Sequence, residues 1–301
     1  VQNGDVSLYD CRVRIVAFSR AVLKCPDIFK RNFIQGEMHM PVLYEKKDHI
    51  GVLTLSRPAA RNAWGPDFYE GLDEYLAVME ADDDIHCMIL TGDEAGGAFS
   101  AGANLKDPNT HKSESTAQFL KDLPRFRNFP FTALQEFSKP VIGAVNGYAI
   151  GIGCIITFSC DLIVASERAE WRLPQVALGI IPAYGGSARL ARWVGKGMAM
   201  RMAMGFPMSG EEAYRTGLAQ WLTPHAEMMD EALRVAQHIA DMPPLAARMV
   251  KESLLRGMDI PNIEDASLAD AYRFMALEFT EDAAEAHQSW RERRPPVFKG
   301  K

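Results

Sequence analysis

Several things are scarce in this sequence, and each scarcity excludes a class of protein. No segment reaches the roughly 18 consecutive apolar residues of a membrane-spanning helix. No charged n-region, apolar h-region and cleavage site open the chain in succession. There is no basic excess: 33 Lys and Arg stand against 39 Asp and Glu, for a net charge of −6. With no basic stripe to neutralise phosphates, nucleic acid is not an expected partner. Cysteine is sparse, five in 301 residues, without CxxC spacing, and no histidine and cysteine cluster has metal-ligand spacing. Three of the five lie in or beside apolar runs, where a thiol behaves as a small core residue. The chain therefore reads as cytoplasmic, in a reducing compartment, with no metal and no resident cofactor.

What is present is ordinary globular material, 48% hydrophobic and 24% charged, enough for one large domain with an extension. The first forty residues mix Arg12, Arg14, Arg20 and Lys24 with Asp5, Asp10 and Asp27. The acidic residues argue against reading the amphipathic stretch from Val13 to Leu23 as a transit peptide. Residues 1–39 read instead as a poorly ordered or adventitious extension.

From Pro41 the text becomes regular. Val42 to Lys46 and Ile50 to Leu55 predict two strands about a polar turn. Phe68, Leu72, Tyr75, Leu76 and Met79 recur at helical spacing after Pro66 and Asp67, a good N-terminal pair. His86 to Leu90 predicts a buried strand closed by Gly92. Pro140 to Val145 repeats that strand pattern, with Asn146-Gly147 as the turn and Asp161 to Ala165 as the next strand. Strands and helices recurring in this order point to an α/β spiral of stacked ββα units. After Pro224 the pattern is wholly helical, with Met229, Leu233, Ala236 and Ala240 on one face and a long amphipathic region from Ile263 to Trp290. The domain plan is thus a spiral core over 40–223 and a C-terminal helical region over 224–301. Among 15 methionines, Met198, Met200, Met202 and Met204 alternate on a segment read as helical and are assigned to packing.

Two glycine-rich segments carry the chemistry: Gly96-Gly97-Ala98-Phe99-Ser100-Ala101-Gly102-Ala103-Asn104-Leu105-Lys106 and Asn146-Gly147-Tyr148-Ala149-Ile150-Gly151-Ile152-Gly153-Cys154. Each follows a strand. Small residues let a ligand approach the backbone, and free amides where a helix opens attract an anion. Taken singly, either segment reads equally as a tight turn.

Taken together, and followed by Cys160-Asp161-Leu162-Ile163-Val164-Ala165, by Leu178-Gly179-Ile180-Ile181-Pro182 with Gly185-Gly186-Ser187-Ala188-Arg189-Leu190, and by Arg293-Arg294-Pro295-Pro296-Val297-Phe298-Lys299-Gly300, they resemble the crotonase (enoyl-CoA hydratase/isomerase) superfamily from about Val42 to the C-terminus. The resemblance implies an acyl-CoA thioester as substrate or ligand, its carbonyl oxygen held by the backbone amides of Ala103 and Ile152. It implies that Lys106 lies near the CoA phosphates, that the loops at Arg61 and Ala101 border the CoA, and that Lys299 belongs to a tail which in some members reaches a neighbour's CoA. It also implies a homotrimer or a dimer of trimers.

Hydratases of this superfamily carry two glutamates at positions that here read Ile155 and Gln175. Isoleucine moves no proton and a glutamine amide has no useful basicity, so efficient hydration by the usual pair is not expected. The acid that other branches place eight residues after the second glutamate position falls on Ala183. Remaining candidates for proton transfer are Tyr184 beside it, His111, Asp107, Glu114 and Asp122 after the first glycine segment, and Tyr272 on a late helix. Two readings stand from the sequence. One is an enzyme working through an oxyanion-stabilised enolate, by isomerisation, C–C cleavage or thioester hydrolysis; the other is a non-catalytic acyl-CoA binder.

Overall fold

Val42–Lys47 (β1) and Ile50–Leu55 (β2) pair antiparallel about a turn at Asp48, whose φ of 50° is tolerated by aspartate. The computed structural model describes residues 41–106, 115–118, 120–121 and 130–301. Residues 1–39, including the stretch from Val13 to Leu23, lie outside them, as do Asp107, His111, Glu114 and Asp122. A compact unit spans Met40–Lys301.

After β2 the chain enters the helix Pro66–Ala81 (α1), with proline in its first turn, where the missing N–H costs nothing. Of the periodic set read from sequence, Phe68, Leu72, Leu76 and Met79 are buried, while Tyr75 is half-buried at the edge of that face. Strand Cys87–Gly92 (β3) is buried throughout, and a short strand Ala98–Ser100 (β4) follows it. The same plan recurs. The helix Pro130–Glu136 (α2) leads to Val141–Val145 (β5) and Tyr148–Ile150 (β6). The helix Ile152–Thr157 (α3) leads to Leu162–Ser166 (β7) and Glu170–Arg172 (β8). Helix Gly186–Ala203 (α4), strand Met208–Ser209 (β9), helix Gly210–Thr216 (α5) and strand Trp221–Thr223 (β10) complete the spiral.

From β3 onward each turn gives one strand to each of two sheets, whereas β1 and β2 both belong to the larger one. The larger has the order β1-β2-β3-β5-β7-β10 and is parallel apart from β1; the smaller has the order β4-β6-β8-β9 and is parallel apart from β9. The α/β spiral of ββα units expected from the sequence is the fold observed.

Side-chain alternation divides the core between the two faces of the larger sheet. Leu53, Leu55, Met88, Leu90, Val141, Val145, Ile163 and Ala165 belong to the main cluster with α1 and α4. Val52, Cys87, Ile89, Ile142, Ala144 and Val164 face a second cluster. That second face is covered by the helix Met228–Ala240 (α6) through Met228, Ala232, Val235, Ala236 and Ala240. The first helix after Pro224 is therefore a layer of the core. Beyond it, Pro244–Gly257 (α7), Ile263–Glu278 (α8) and Glu281–Glu292 (α9) follow. The region read as one amphipathic stretch is broken at Thr280, whose hydroxyl accepts from Ala283 N and caps α9. No residue of α8 is buried, and Leu268, Tyr272, Phe274, Met275 and Phe279 are exposed. The methionine set divides: Met202 is buried, whereas Met200 and Met204 are exposed. Among the described residues, no helix is long and apolar enough to cross a membrane.

Candidate active site

The first glycine segment is anchored from beneath by Asn62 and Ser100, both fully buried. The Asn62 amide donates to Asp93 O at 3.0 Å and Ala98 O at 2.8 Å, and its Oδ1 accepts from Arg57 N at 3.0 Å. The Ser100 hydroxyl donates to Asn62 O at 2.7 Å and accepts from Gly102 N at 3.2 Å. Trp64 then runs alongside as an isolated parallel bridge to Ala103. Trp64 N donates to Gly102 O and Asn104 N donates to Trp64 O, both at 2.8 Å. The residues on either side of Ala103 are held in this way, while the Ala103 amide makes no backbone hydrogen bond among the described residues.

The second segment presents a matching donor. Gly151 N donates to Arg172 O at 2.8 Å, and Cys154 N and Ile155 N turn back to Gly151 O. Ile152 N, at the first position of α3, makes no backbone hydrogen bond among the described residues, and no side chain caps the helix. Gly151 sits at φ 56° and ψ −114°, a conformation essentially closed to residues with a Cβ. The two segments touch. Gly102 has φ 90°, and a Cβ built on it would lie 2.6 Å from Ile150 O and 3.8 Å from Gly151 Cα. At Gly153 a Cβ would lie 2.6 Å from both Cβ and O of Ser100. Glycine at these positions brings the loops of Ala103 and Ile152 together with their amides unspent. Since α3 has only six residues, the two amides themselves, rather than a long helix dipole, supply the positive potential.

Ile155 and Gln175 flank this place. Ile155 is 1% exposed, and a Cβ on Gly186 would meet its side chain at 2.9 Å. Gln175 lies in the 3-10 turn Pro174–Leu178, with Nε2 3.6 Å from where a Gly151 Cβ would stand. Its Oε1 is buried without a hydrogen-bond partner.

Tyr184 adopts φ 55°, its carbonyl accepting from Arg189 Nη1 at 2.6 Å while Arg189 Nε donates to Gln135 Oε1 at 2.7 Å. Its ring stacks on Phe131, with centroids 5.7 Å apart and planes at 24°. Phe131 in turn meets Trp64 at 6.1 Å, and Trp64 meets Tyr69 at 5.3 Å. Burial raises the Tyr184 pKa. Tyr69 is raised by burial first and then by the Tyr184 phenol beside it. Both hydroxyls are therefore neutral at physiological pH.

The other predicted positions scatter around this centre. Arg61 is exposed at φ 51° and caps a 3-10 turn. Its carbonyl accepts from Ala101 N at 2.9 Å. Lys106 is exposed at the end of the first segment. Lys299 is exposed on a tail pinned to α9 by Asp282, whose carboxylate accepts from Lys299 N at 2.7 Å and Gly300 N at 2.9 Å. Tyr272 is exposed on α8. The sequence reading had not singled out Trp64, Tyr69 or Phe131, which join Tyr184 only through tertiary packing. The signal available in advance was the large aromatic directly after Asn62-Ala63. Among the described residues, no group of three His, Cys, Asp or Glu is placed to hold a metal.

A spiral of ββα turns with two adjoining loops and unpaired amides defines a protein of the crotonase class. The chain matches the family described as Enoyl-CoA hydratase/isomerase over residues 45–301, and it belongs to that family. It is 34% identical over 261 residues to the 2,3-dehydroadipyl-CoA hydratase of Escherichia coli, covering 86% of this chain and 99% of that protein. It is 35% identical over 255 residues to the short-chain-enoyl-CoA hydratase of Clostridium acetobutylicum, covering 84% and 95%. The crystal structure of an enoyl-CoA hydratase from Bacillus anthracis superposes with a TM-score of 0.80 at 28% identity, covering 87% of this chain and all of that one.

Proposed function

We propose that the chain binds an acyl-CoA thioester with its carbonyl oxygen between the amides of Ala103 and Ile152, and acts on it through an enolate. The observation that carries this reading is the contact of Gly102 with Ile150 O, which sets two unpaired donors on adjoining loops. Such donors stabilise charge that develops during reaction, roughly 3–4 kcal/mol each where tested by mutation. Each can do so here because both are backbone amides fixed before the ligand arrives. The relatives named above are hydratases, yet the side chains beside this site are Ile155 and Gln175. Neither exchanges a proton near neutral pH, so efficient hydration is not the activity proposed. Isomerisation, C–C cleavage and thioester hydrolysis all pass through an oxyanion that the same two amides would hold.

A second reading, a non-catalytic acyl-CoA binder, is favoured by one observation: Ile155 is packed tightly on Gly186, which makes the wall apolar. In either case Arg61, Ala101 and Lys106 border the CoA moiety, and Lys299 acts from the pinned tail. The exposed apolar side chains of α8 suit an assembly of identical subunits, a trimer or a pair of trimers. Three buried free thiols, Cys87, Cys154 and Cys160, suit a cytoplasmic location.

The test is to incubate the protein with enoyl-, dienoyl- and β-ketoacyl-CoA esters, follow products by mass and record a thermal shift for each. A ligand at a hundred times its dissociation constant stabilises by about 2.7 kcal/mol. Shift with product supports the enzyme, and shift without product supports the binder. No shift with any thioester contradicts both.

A further inference from the structure

Of the groups named for proton transfer, Tyr184 is the one that the described structure joins to both arms of the amide pair. Two residues beyond it, Gly186 presses on Ile155: a Cβ there would lie 2.9 Å from the Ile155 side chain, in the helix that Ile152 opens. On the other side the Tyr184 ring stacks on Phe131 at 5.7 Å, Phe131 meets Trp64 at 6.1 Å, and Trp64 bridges Ala103. Trp64 and Phe131 are buried and serve as packing. Tyr184, Ala103 and Ile152 are half-buried, so each of these three keeps surface that a ligand can reach.

The backbone at Tyr184 is constrained. Its φ of 55° is one a bulky residue rarely adopts, and it persists only where the surroundings over-determine it. Arg189 supplies that constraint, with Nη1 donating to Tyr184 O at 2.6 Å and Nε to Gln135 Oε1 at 2.7 Å. The phenol also has a neighbour of its own kind. Tyr69, half-buried on α1, lies near enough to feel a charge on Tyr184, whereas Ile155 and Gln175 offer no usable proton.

We propose that Tyr184 is a catalytic residue, the donor that protonates the enolate, and that the Tyr69 hydroxyl is positioned to hold the phenolate left behind. The inference rests on the thioester lying at Ala103 and Ile152 and reacting through an enolate. In the step, the O–H bond of Tyr184 breaks and that hydrogen bonds to the α-carbon. The carbon–carbon double bond of the enolate supplies the electron pair, and the thioester carbonyl is restored. The Tyr184 phenolate then accepts a hydrogen bond from Tyr69 and recovers its proton from water. Burial keeps both phenols neutral, the form that donates. In reverse, the same step removes an α-proton from a saturated acyl-CoA, so hydrogen exchange at that carbon reports on Tyr184 whatever the overall reaction.

The experiment follows deuterium uptake at the α-carbon of butanoyl-CoA in deuterated water, by mass, for the full chain and its Tyr184→Phe and Tyr69→Phe variants, with a dissociation constant for each. Phenylalanine at 184 keeps the ring on Phe131 and removes only the hydroxyl, so a packing role would leave exchange unchanged. The parent chain should exchange faster than the free thioester. Tyr184→Phe should slow exchange by about a hundredfold or more and leave the dissociation constant nearly unchanged. Tyr69→Phe should slow it by about tenfold, the loss of one hydrogen bond to a charged oxygen. Binding without exchange in the parent, or parent-like exchange in Tyr184→Phe, overturns this inference while leaving the thioester reading intact. Affinity lost in step with exchange in Tyr184→Phe overturns it as well, because the hydroxyl would then serve binding. Parent-like exchange in Tyr69→Phe overturns the role given to Tyr69. Failure of butanoyl-CoA to bind the parent overturns the thioester reading and this inference with it.

Discussion

Replacing Gly102 by alanine separates the amide pair from the rest of the molecule. In the parent chain Gly102 sits at φ 90°, and a Cβ there would stand 2.6 Å from Ile150 O. The left-handed backbone costs alanine about 1–2 kcal/mol. To restore an ordinary carbon-to-oxygen contact, the Ala103 loop and β6 must also part by about 0.6 Å or more. That displacement acts on the hole more than on the fold, because Trp64 and Ser100 continue to hold the loop from below. Two hydrogen bonds to a thioester oxygen are worth about 1–3 kcal/mol net, so the parent chain should prefer an acyl-CoA to the matching thioether, which lacks the carbonyl, by about five- to a hundredfold. Gly102→Ala should lose at least half of that free-energy preference. Paired dissociation constants of thioester and thioether, with a denaturation curve for each protein, supply the numbers. An unchanged preference in a folded Gly102→Ala chain would refute the reasoning, as would no preference in the parent.

Three further outcomes are expected. Ile155→Glu together with Gln175→Glu should raise crotonyl-CoA hydration by about a hundredfold or more, whereas Ile155→Glu alone should mainly lower stability, because its carboxyl is buried against Gly186; hydration rates and melting curves check both. Asn62→Ala strands two carbonyls and an amide and should cost about 2–4 kcal/mol in urea denaturation. His86 stacks on His49 at 4.4 Å and 8°, and burial first, opposed by the hydrogen bond to Ala240 O and reinforced by His49, holds its pKa below the usual 6.5. The unfolded chain therefore takes up that proton first, so stability present above pH 6.5 should fall on acidification through and below it. His86→Gln should flatten that part of the curve of unfolding free energy against pH.

The larger sheet was legible because its strands are long enough to show a pattern. Ile50–Leu55 is bounded by a polar turn and a proline, and Val141–Val145 is an uninterrupted apolar run. The helix face of Phe68, Leu72, Leu76 and Met79 was legible for the same reason. The smaller sheet was not, since β4, β6, β8 and β9 have two or three residues each and two of them lie inside segments that read as glycine loops. Two or three residues show no alternation. The amides of Ala103 and Ile152 were legible through resemblance, but the physical reason they adjoin, Gly102 against Ile150 O, is a contact between loops that no spacing encodes. The ring contacts of Trp64 with Phe131 and of Phe131 with Tyr184 were illegible in the same way: positions 64, 131 and 184 share no period and meet only through tertiary packing. Lys299 shows a related gap. Its tail is set by the Asp282 carboxylate, seventeen residues earlier in the chain, which nothing in the terminal motif announces.

The most direct measurement is the vibrational frequency of the thioester carbonyl, read by isotope-edited infrared difference spectroscopy on a carbonyl-labelled acyl-CoA bound to the full chain. Two amides donating to it would draw electron density onto the oxygen, so the band should move to lower frequency than in water and move back in Gly102→Ala. A bound thioester whose carbonyl vibrates at or above its frequency in water would contradict the account, because it would show an oxygen that neither Ala103 nor Ile152 holds.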